Sequence, residues 1–210
     1  MAALSNVSFV DTEVSLRTDY MDNVVSYAPG SGTPSQNPSG MVSGINVRYL
    51  FPVGRFRLGA EAYVLGGHLE DEVDDGFYID EGTVIDLTYG LDVIAGVVLG
   101  SNVLVYAKGG VSYASAKVTK NCPPPVNAHF GYCSTRGPFD HETNVLWQGQ
   151  NYGAGISVRL GRFNLTGDYQ HNDFDALSGV SGQNALGQDV TYNNMALAGD
   201  QYGVRIGYNF

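Results

Sequence analysis

Apolar and polar residues alternate in twos along most of this chain. From Val10 the even positions read Val10, Thr12, Val14, Leu16, Thr18 and Tyr20, and the odd ones Asp11, Glu13, Ser15, Arg17 and Asp19, so one face is apolar and the other charged. Ile45, Val47, Tyr49 and Phe51 alternate with Gly44, Asn46 and Arg48, and Phe56, Leu58, Ala60, Ala62 and Val64 with Arg57, Gly59 and Glu61. Farther on, Ile85 to Val97 sets a row of apolar odd positions against Asp86, Thr88, Gly90 and Asp92, and Val103 to Tyr113 does the same against Tyr106, Lys108, Gly110 and Ser112. Tyr152 to Leu160 alternates with Asn151, Gly153, Gly155, Ser157 and Arg159; Phe163, Leu165 and Tyr169 with Asn164, Thr166 and Asp168; and Tyr202, Val204, Ile206, Tyr208 and Phe210 with Gly203, Arg205, Gly207 and Asn209. A period of two is the mark of a strand with unlike faces, and helical periodicity is almost absent.

Eight such segments emerge, and the connections between them alternate as regularly as the residues do. They are tight at Pro52 to Arg55, Gly100 to Asn102 and Gly161 to Arg162, but long and polar at roughly 21–40, 66–83, 117–144 and 172–196. Short turns therefore share one end and long loops the other. An even number of strands of about ten residues, joined in this way, predicts an all-β fold: an eight-stranded antiparallel transmembrane up-and-down β-barrel with four long extracellular loops and short periplasmic turns. No domain boundary interrupts the pattern, so residues 1–210 form a single barrel domain.

A soluble barrel would turn its apolar face inward and a membrane barrel would turn it toward lipid. By parity the charged face carries Arg17, Arg48, Arg57, Lys108, Arg159 and Arg205 against Asp11, Glu13, Asp19, Glu61, Asp86, Asp92 and Asp168. That near-neutral mixture, interleaved with glycine, fits a narrow lumen in which large ions pair across the axis. Aromatic rings agree. Tyr20, Tyr89, Tyr113, Tyr152, Tyr169 and Tyr202 fall on the apolar face toward the long loops, and Phe51, Phe56, Phe163 and Phe210 toward the short turns, as interfacial anchors on both rims of a lipid-facing band should. The inward ions are expected to form a cross-barrel network that blocks the axis, with Arg48, Arg57, Arg159 and Arg205 pairing with Glu13, Glu61, Asp92 and Asp168.

Composition alone leaves the fold open, since 43% hydrophobic residues and a mean hydropathy of -0.09 also suit a soluble domain. Charge is more informative. A formal net charge of -10 disfavours a nucleic-acid partner, whose phosphates would be repelled. Apolar runs such as Val93 to Gly100 are far too short for a spanning helix, and "MAALSNVSF" lacks the basic start and apolar stretch of a signal peptide, so the chain is either cytosolic or a mature chain given an initiator Met. Cys122 and Cys133 enclose "CPPPVNAHFGYC" in a spacing that suits neither zinc nor a redox pair, so a loop disulfide and an oxidising compartment are expected.

Three stretches carry a family resemblance: "VLVYAKGGVSYA" (Val103 to Ala114), "YGAGISVRLGRFNLTGDYQHNDF" (Tyr152 to Phe174) and the closing "YGVRIGYNF". They resemble the eight-stranded OmpA-like and opacity-protein-like outer-membrane barrels of Gram-negative bacteria, in particular the outer-membrane immunogenic proteins. The resemblance implies an integral outer-membrane location with both termini periplasmic, contact with outer-membrane lipid and lipopolysaccharide, and a monomer. It also implies that Tyr202, Val204, Ile206, Tyr208 and Phe210 act as a signal to the barrel-assembly machinery. With the chain stopping at Phe210, the peptidoglycan-binding domain of full-length OmpA-type proteins is not expected.

Candidate chemistry is sparse. His171 with Asp173 could sit at a rim like the residues of lipid-modifying barrels, but the spacing is unspecific, so the expectation is no enzyme and no cofactor. The acidic segment His68 to Gly82 holds Glu70, Asp71, Glu72, Asp74 and Asp75, a weak candidate for a divalent cation and more simply a solvated loop. The function expected is structural and in cell-surface recognition, through loops that could take a host or other surface ligand. The alternative is a narrow or gated channel for small solutes.

Overall fold

The computed structural model describes residues 12–27, 35–74, 80–122, 139–177, 180–183, 189–192 and 195–210. Eight long strands close a barrel: β1 (Thr12–Tyr27), β2 (Ser39–Val53), β3 (Phe56–Asp74), β4 (Asp80–Leu99), β5 (Val103–Cys122), β6 (Phe139–Leu160), β7 (Phe163–Phe174) and β10 (Met195–Asn209). A separate hairpin is made by β8 (Val180–Gln183) and β9 (Asp189–Tyr192). Each barrel strand pairs antiparallel with its sequence neighbour, and β1 closes the circle on β10 from Glu13↔Asn209 to Tyr27↔Met195. Around the barrel ring closure pairs every strand on both sides, which a strand crossing hydrocarbon requires; the extensions of β3 beyond Gly67 and of β6 before Gly149 run past their β2 and β7 neighbours.

Three tight turns join strands at one end, and each contains a glycine with positive φ: Gly54 at 62°, Gly100 at 64° and Gly161 at 69°. A side chain there would be strained, so these glycines let the chain reverse within a few residues.

Alternation places the apolar face outside. Leu16, Val93, Val204 and Ile206 are exposed, whereas Arg17, Arg48, Glu61, Asp92 and Arg205 are buried inside. A water-soluble barrel has the reverse arrangement. Tyr20, Tyr152, Tyr169 and Tyr202 stand on the outer face toward the long connections, with Tyr89 stacked on Tyr113 at 5.1 Å, and Phe51, Phe56, Phe163 and Phe210 stand toward the turns.

The long connections are shorter than their polar sequences suggest, because strands run on beyond the aromatic ring. β3 and β4 continue to Asp74 and Asp80, so much of the acidic segment is a hairpin rather than a loop. β5 and β6 continue to Cys122 and from Phe139. The physical reason is a second core: Met21, Val25, Leu65, Leu69, Ile85, Val118, Trp147, Phe174, Met195 and Leu197 pack inside this extension. Two bulges adjust the register beneath it, between Gly66 and Leu69 on β3 and between Ile85 and Leu87 on β4. They correct the sequence reading of this strand. Ile85 turns inward to the upper core, and Asp86, expected in the lumen, is exposed on the outer face, because the extra residue of a bulge inverts every facing beyond it.

Candidate functional site

The interior is filled in tiers. At the turn end Leu50, Ile94, Leu104 and Tyr106 form a small apolar floor. Beside it Asn164 donates Nδ2 to Glu13 Oε2 at 2.7 Å and to Asn209 Oδ1 at 3.0 Å. Arg57 caps the first turn, donating Nη1 to the carbonyls of Gly54 and Phe56 at 2.9 and 2.8 Å, and Arg159 donates Nε to the carbonyl of Gly161 at 3.1 Å. Both therefore serve the turns, below the charged tier in which parity placed them. A residue early or late in a strand shares its face with the lumen ions but not their height.

Above the floor lies an ionic tier of four cations, Arg17, Arg48, Lys108 and Arg205, and four carboxylates, Asp19, Glu61, Asp92 and Asp168. Glu61 from β3 is its hub. Its Oε2 is 2.7 Å from both Arg48 Nη2 and Arg205 Nη1, and its Oε1 is 3.3 Å from Lys108 Nζ and 3.7 Å from Arg17 Nη1. Asp168 from β7 is the second hub, with Arg205 Nη2 at 2.6 Å, Lys108 Nζ at 3.3 Å and Arg17 Nη2 at 3.5 Å. Asp92 meets Lys108 at 3.5 Å, and Arg17 Nε meets Asp19 at 2.7 Å. Tyr106 ties the hubs together: its hydroxyl accepts from Arg48 and Arg205 and donates to Asp168 Oδ2, while the Arg48 guanidinium lies 4.6 Å from its ring centroid. Equal numbers of opposite charges, each cation shared between strands, make the cost of dehydrating them bearable.

Small residues make room for these groups. A Cβ at Gly155 would strike the Tyr106 hydroxyl, one at Gly203 the carboxylates of Asp19 and Asp168, and one at Gly207 that of Glu13. A narrow barrel fills only if large and small inward residues oppose one another.

A neutral polar tier follows. Tyr63, Ser112, Asn151, Gln170, Asn172 and Gln201 bond to one another, with Gln170 Nε2 2.8 Å from the Tyr63 hydroxyl and Asn151 Nδ2 2.7 Å from Ser112 Oγ. Gln201 donates onward to Asp19, which joins this tier to the ionic one. The upper apolar core, centred on the fully buried Trp147, closes the sequence of tiers.

Charge alone does not single out Tyr63, Tyr106, the amides or Trp147 as parts of the lumen filling. Their signal was present, since each occupies the inward parity of its strand. Continuing the alternation past Tyr20 shows the same face becoming apolar at Met21 and Val25.

Outside the lumen, His171 Nδ1 lies 2.8 Å from Asp200 Oδ1, which also accepts the Tyr169 hydroxyl at 2.7 Å; its partner is thus Asp200 on β10 rather than the nearby Asp173. His68 bridges Asp86 at 3.3 Å and Glu70 at 3.1 Å on the outer surface. Asp86 raises the His68 pKa above its ordinary value, with Glu70 adding to the effect. Of the acidic segment, Glu70 is thereby engaged, and Asp71 accepts the backbone N–H of Asn37 from another strand connection. Asp71 points to the face opposite Glu70 and Glu72, and the side chain of Asp74 lies outside the described residues. Asp75 and Cys133 lie outside the described residues, as does the side chain of Cys122 and hence the expected disulfide. At the other end Tyr208 accepts from Arg162 at 2.9 Å and packs edge-on against Phe163 and Phe210.

No protein-family model and no curated protein matches the chain. Its fold is similar to that of a major outer membrane protein from Thermus thermophilus, with 14% identity, a TM-score of 0.55 and coverage of 95% of this chain and 99% of that one. It is likewise similar to the outer membrane protein OprG from Pseudomonas aeruginosa, with 13% identity, a TM-score of 0.54 and coverage of 97% and 98%. Ail, the attachment invasion locus protein of Yersinia pestis, matches at 14% identity over 95% and 99% of the two chains with a TM-score of 0.47, a superposition too loose to carry an argument. The chain thus has the closed eight-stranded antiparallel fold of outer-membrane barrels.

Proposed function

We propose that this protein is an integral outer-membrane barrel of the OmpA-like and opacity-protein-like kind, closed to solutes, whose work is structural and done at its surface. The supporting observation is the dryness of the lumen. Arg17, Arg48, Glu61, Asp92, Lys108 and Arg205 retain at most 5% of their surface, whereas side chains lining a water-filled path would keep a wet side. An ionic tier and an apolar tier stand in series, so opening either alone leaves the other shut. Surface exposure of the outer face supports the membrane location, because a continuous apolar belt of this kind has no stable place in water.

With the turns periplasmic, the extended hairpins project outward and present most of the acidic residues. Asp22, Glu70, Glu72, Asp86, Glu142, Asp173 and Asp175 are exposed at that end. A recognised partner would be neutral or cationic, since polyanions meet repulsion there.

Planar-bilayer recording of the refolded protein tests this reading. A silent membrane containing folded barrels is the expected result. Steady conductance from the unmodified chain would replace the closed barrel with a channel.

A further inference from the structure

One part of the lipid-facing belt is concave. On β4 and β5 the small residues Ala95 and Ala107 lie directly opposite each other, with Gly96 beside them. Larger side chains stand around this floor: Val53, Phe56 and Leu58 along the β2–β3 side, and Val97 and Val105 toward the turn end. The groove encloses about 610 Å³ and is almost wholly apolar. Elsewhere toward the turns the belt carries protruding side chains such as Leu160, Leu165 and Ile206.

Its lower edge has a charge. Arg55 sits in the turn between Val53 and Phe56, two of the groove's walls, and its carbonyl accepts the N–H of Val98, next to the wall residue Val97, at 2.9 Å. The Arg55 side chain is exposed and has no hydrogen-bond or ion-pair partner among the described residues. Arg162, the other exposed cation of the turns, is held by Tyr208. Among the described residues no exposed Asp or Glu side chain lies at this end, whereas the opposite end is acidic.

We infer that the groove is a binding site for one anionic phospholipid of the leaflet at the turn end, an acyl chain lying over Ala95 and Ala107 and the phosphate meeting Arg55. The inference rests on the membrane reading proposed above. Groove and cation contribute different things. The hollow lets a chain lie close to the backbone and gain contacts that a protruding surface denies it, for either a charged or a zwitterionic lipid. Arg55 selects the anionic headgroup, because a single basic residue at an anionic membrane surface contributes ~1 kcal/mol, about fivefold in affinity.

The test is native mass spectrometry of the refolded full chain in detergent micelles doped equally with phosphatidylglycerol and phosphatidylcholine. The unmodified protein should retain one lipid, with phosphatidylglycerol preferred about fivefold. Arg55→Ser should abolish the preference while leaving retention, and Ala107→Leu, which fills the floor, should abolish retention of both. Heat-modifiable migration on a gel establishes folding of each variant, and Arg55→Ser alone decides if Ala107→Leu does not fold. Equal retention of the two lipids, an undiminished preference in Arg55→Ser, or a dimer that covers the groove would overturn the site. A chain that fails to fold in micelles at all would sink the membrane reading itself, an outcome distinct from a folded barrel without lipid preference.

Discussion

Arg205 shows how an ion can be structural inside a barrel. It reaches Glu61 at 2.7 Å and Asp168 at 2.6 Å, and both carboxylates are buried. Arg205→Ala would leave two carboxylates short of a cation in a dry interior, so the barrel should lose about 3–5 kcal/mol in urea unfolding from lipid vesicles. Lys117 and Glu142 offer a control at 3.0 Å on the outside, where water competes. Lys117→Ala should cost no more than about 1 kcal/mol in the same assay. His68 gives a third prediction. Its folded pKa is raised by Asp86 first and Glu70 second, so its ion pairs are present below the ordinary histidine range of about 6.5 and are lost as pH rises through the folded value. Imidazole titration by NMR should place His68 above that range, and Asp86→Asn should bring it down; an unmoved titration would show that the bulge does not hold the pair together in solution.

Among the elements, β3 to β6 are the most informative, because they outrun the thickness of a bilayer. Strands of 19, 20, 20 and 22 residues exceed the nine to eleven or so that a tilted strand needs. The surplus is held by the upper core rather than by lipid. Trp147→Ala should therefore destabilise the extension by roughly 3–5 kcal/mol, the cost of a large cavity in a packed core. Hydrogen exchange can separate this from the rest of the barrel: amides around Val118 and Val145 should exchange faster in the variant, while those around Lys108 and Gly153 stay protected. Uniform loss of protection would show that the two cores form one cooperative unit. The bulge at Asp86, opposite Gly67 and His68, joins the two regions: it turns Ile85 into the upper core, while β3 keeps its alternation and carries Leu69 inward above Leu65.

For the molecule as a whole, charge is sorted along the axis: paired in the middle, acidic and exposed at the long-connection end, basic at the turns. Two obstructions in series make a definite prediction about conductance. Arg48→Ala with Arg205→Ala should remain silent in a planar bilayer, because the tier around Trp147 is untouched. Adding Trp147→Ala and Met21→Ala should be needed before current appears. Current from the double variant alone would mean that the apolar tier does not seal.

The alternation of residues by itself determined the number of barrel strands, the closed architecture and the facing of most side chains; the β8–β9 hairpin lies in a stretch that reads only as a long polar loop. A strand has only two faces, and each residue declares its own by polarity. Arg48, Glu61, Lys108, Asp168 and Arg205 could thus be assigned inward from their neighbours alone. Their heights and partners were decided only by tertiary structure. Glu61 and Arg205 are 144 residues apart, and their meeting depends on the stagger accumulated from strand to strand as the sheet closes, a quantity no single strand encodes. The same holds for Asp86, whose inward parity was reversed by one extra residue, and for Arg57 and Arg159, which donate to turn carbonyls. Local chemistry sets which way a side chain points; closure of the sheet sets what it finds there.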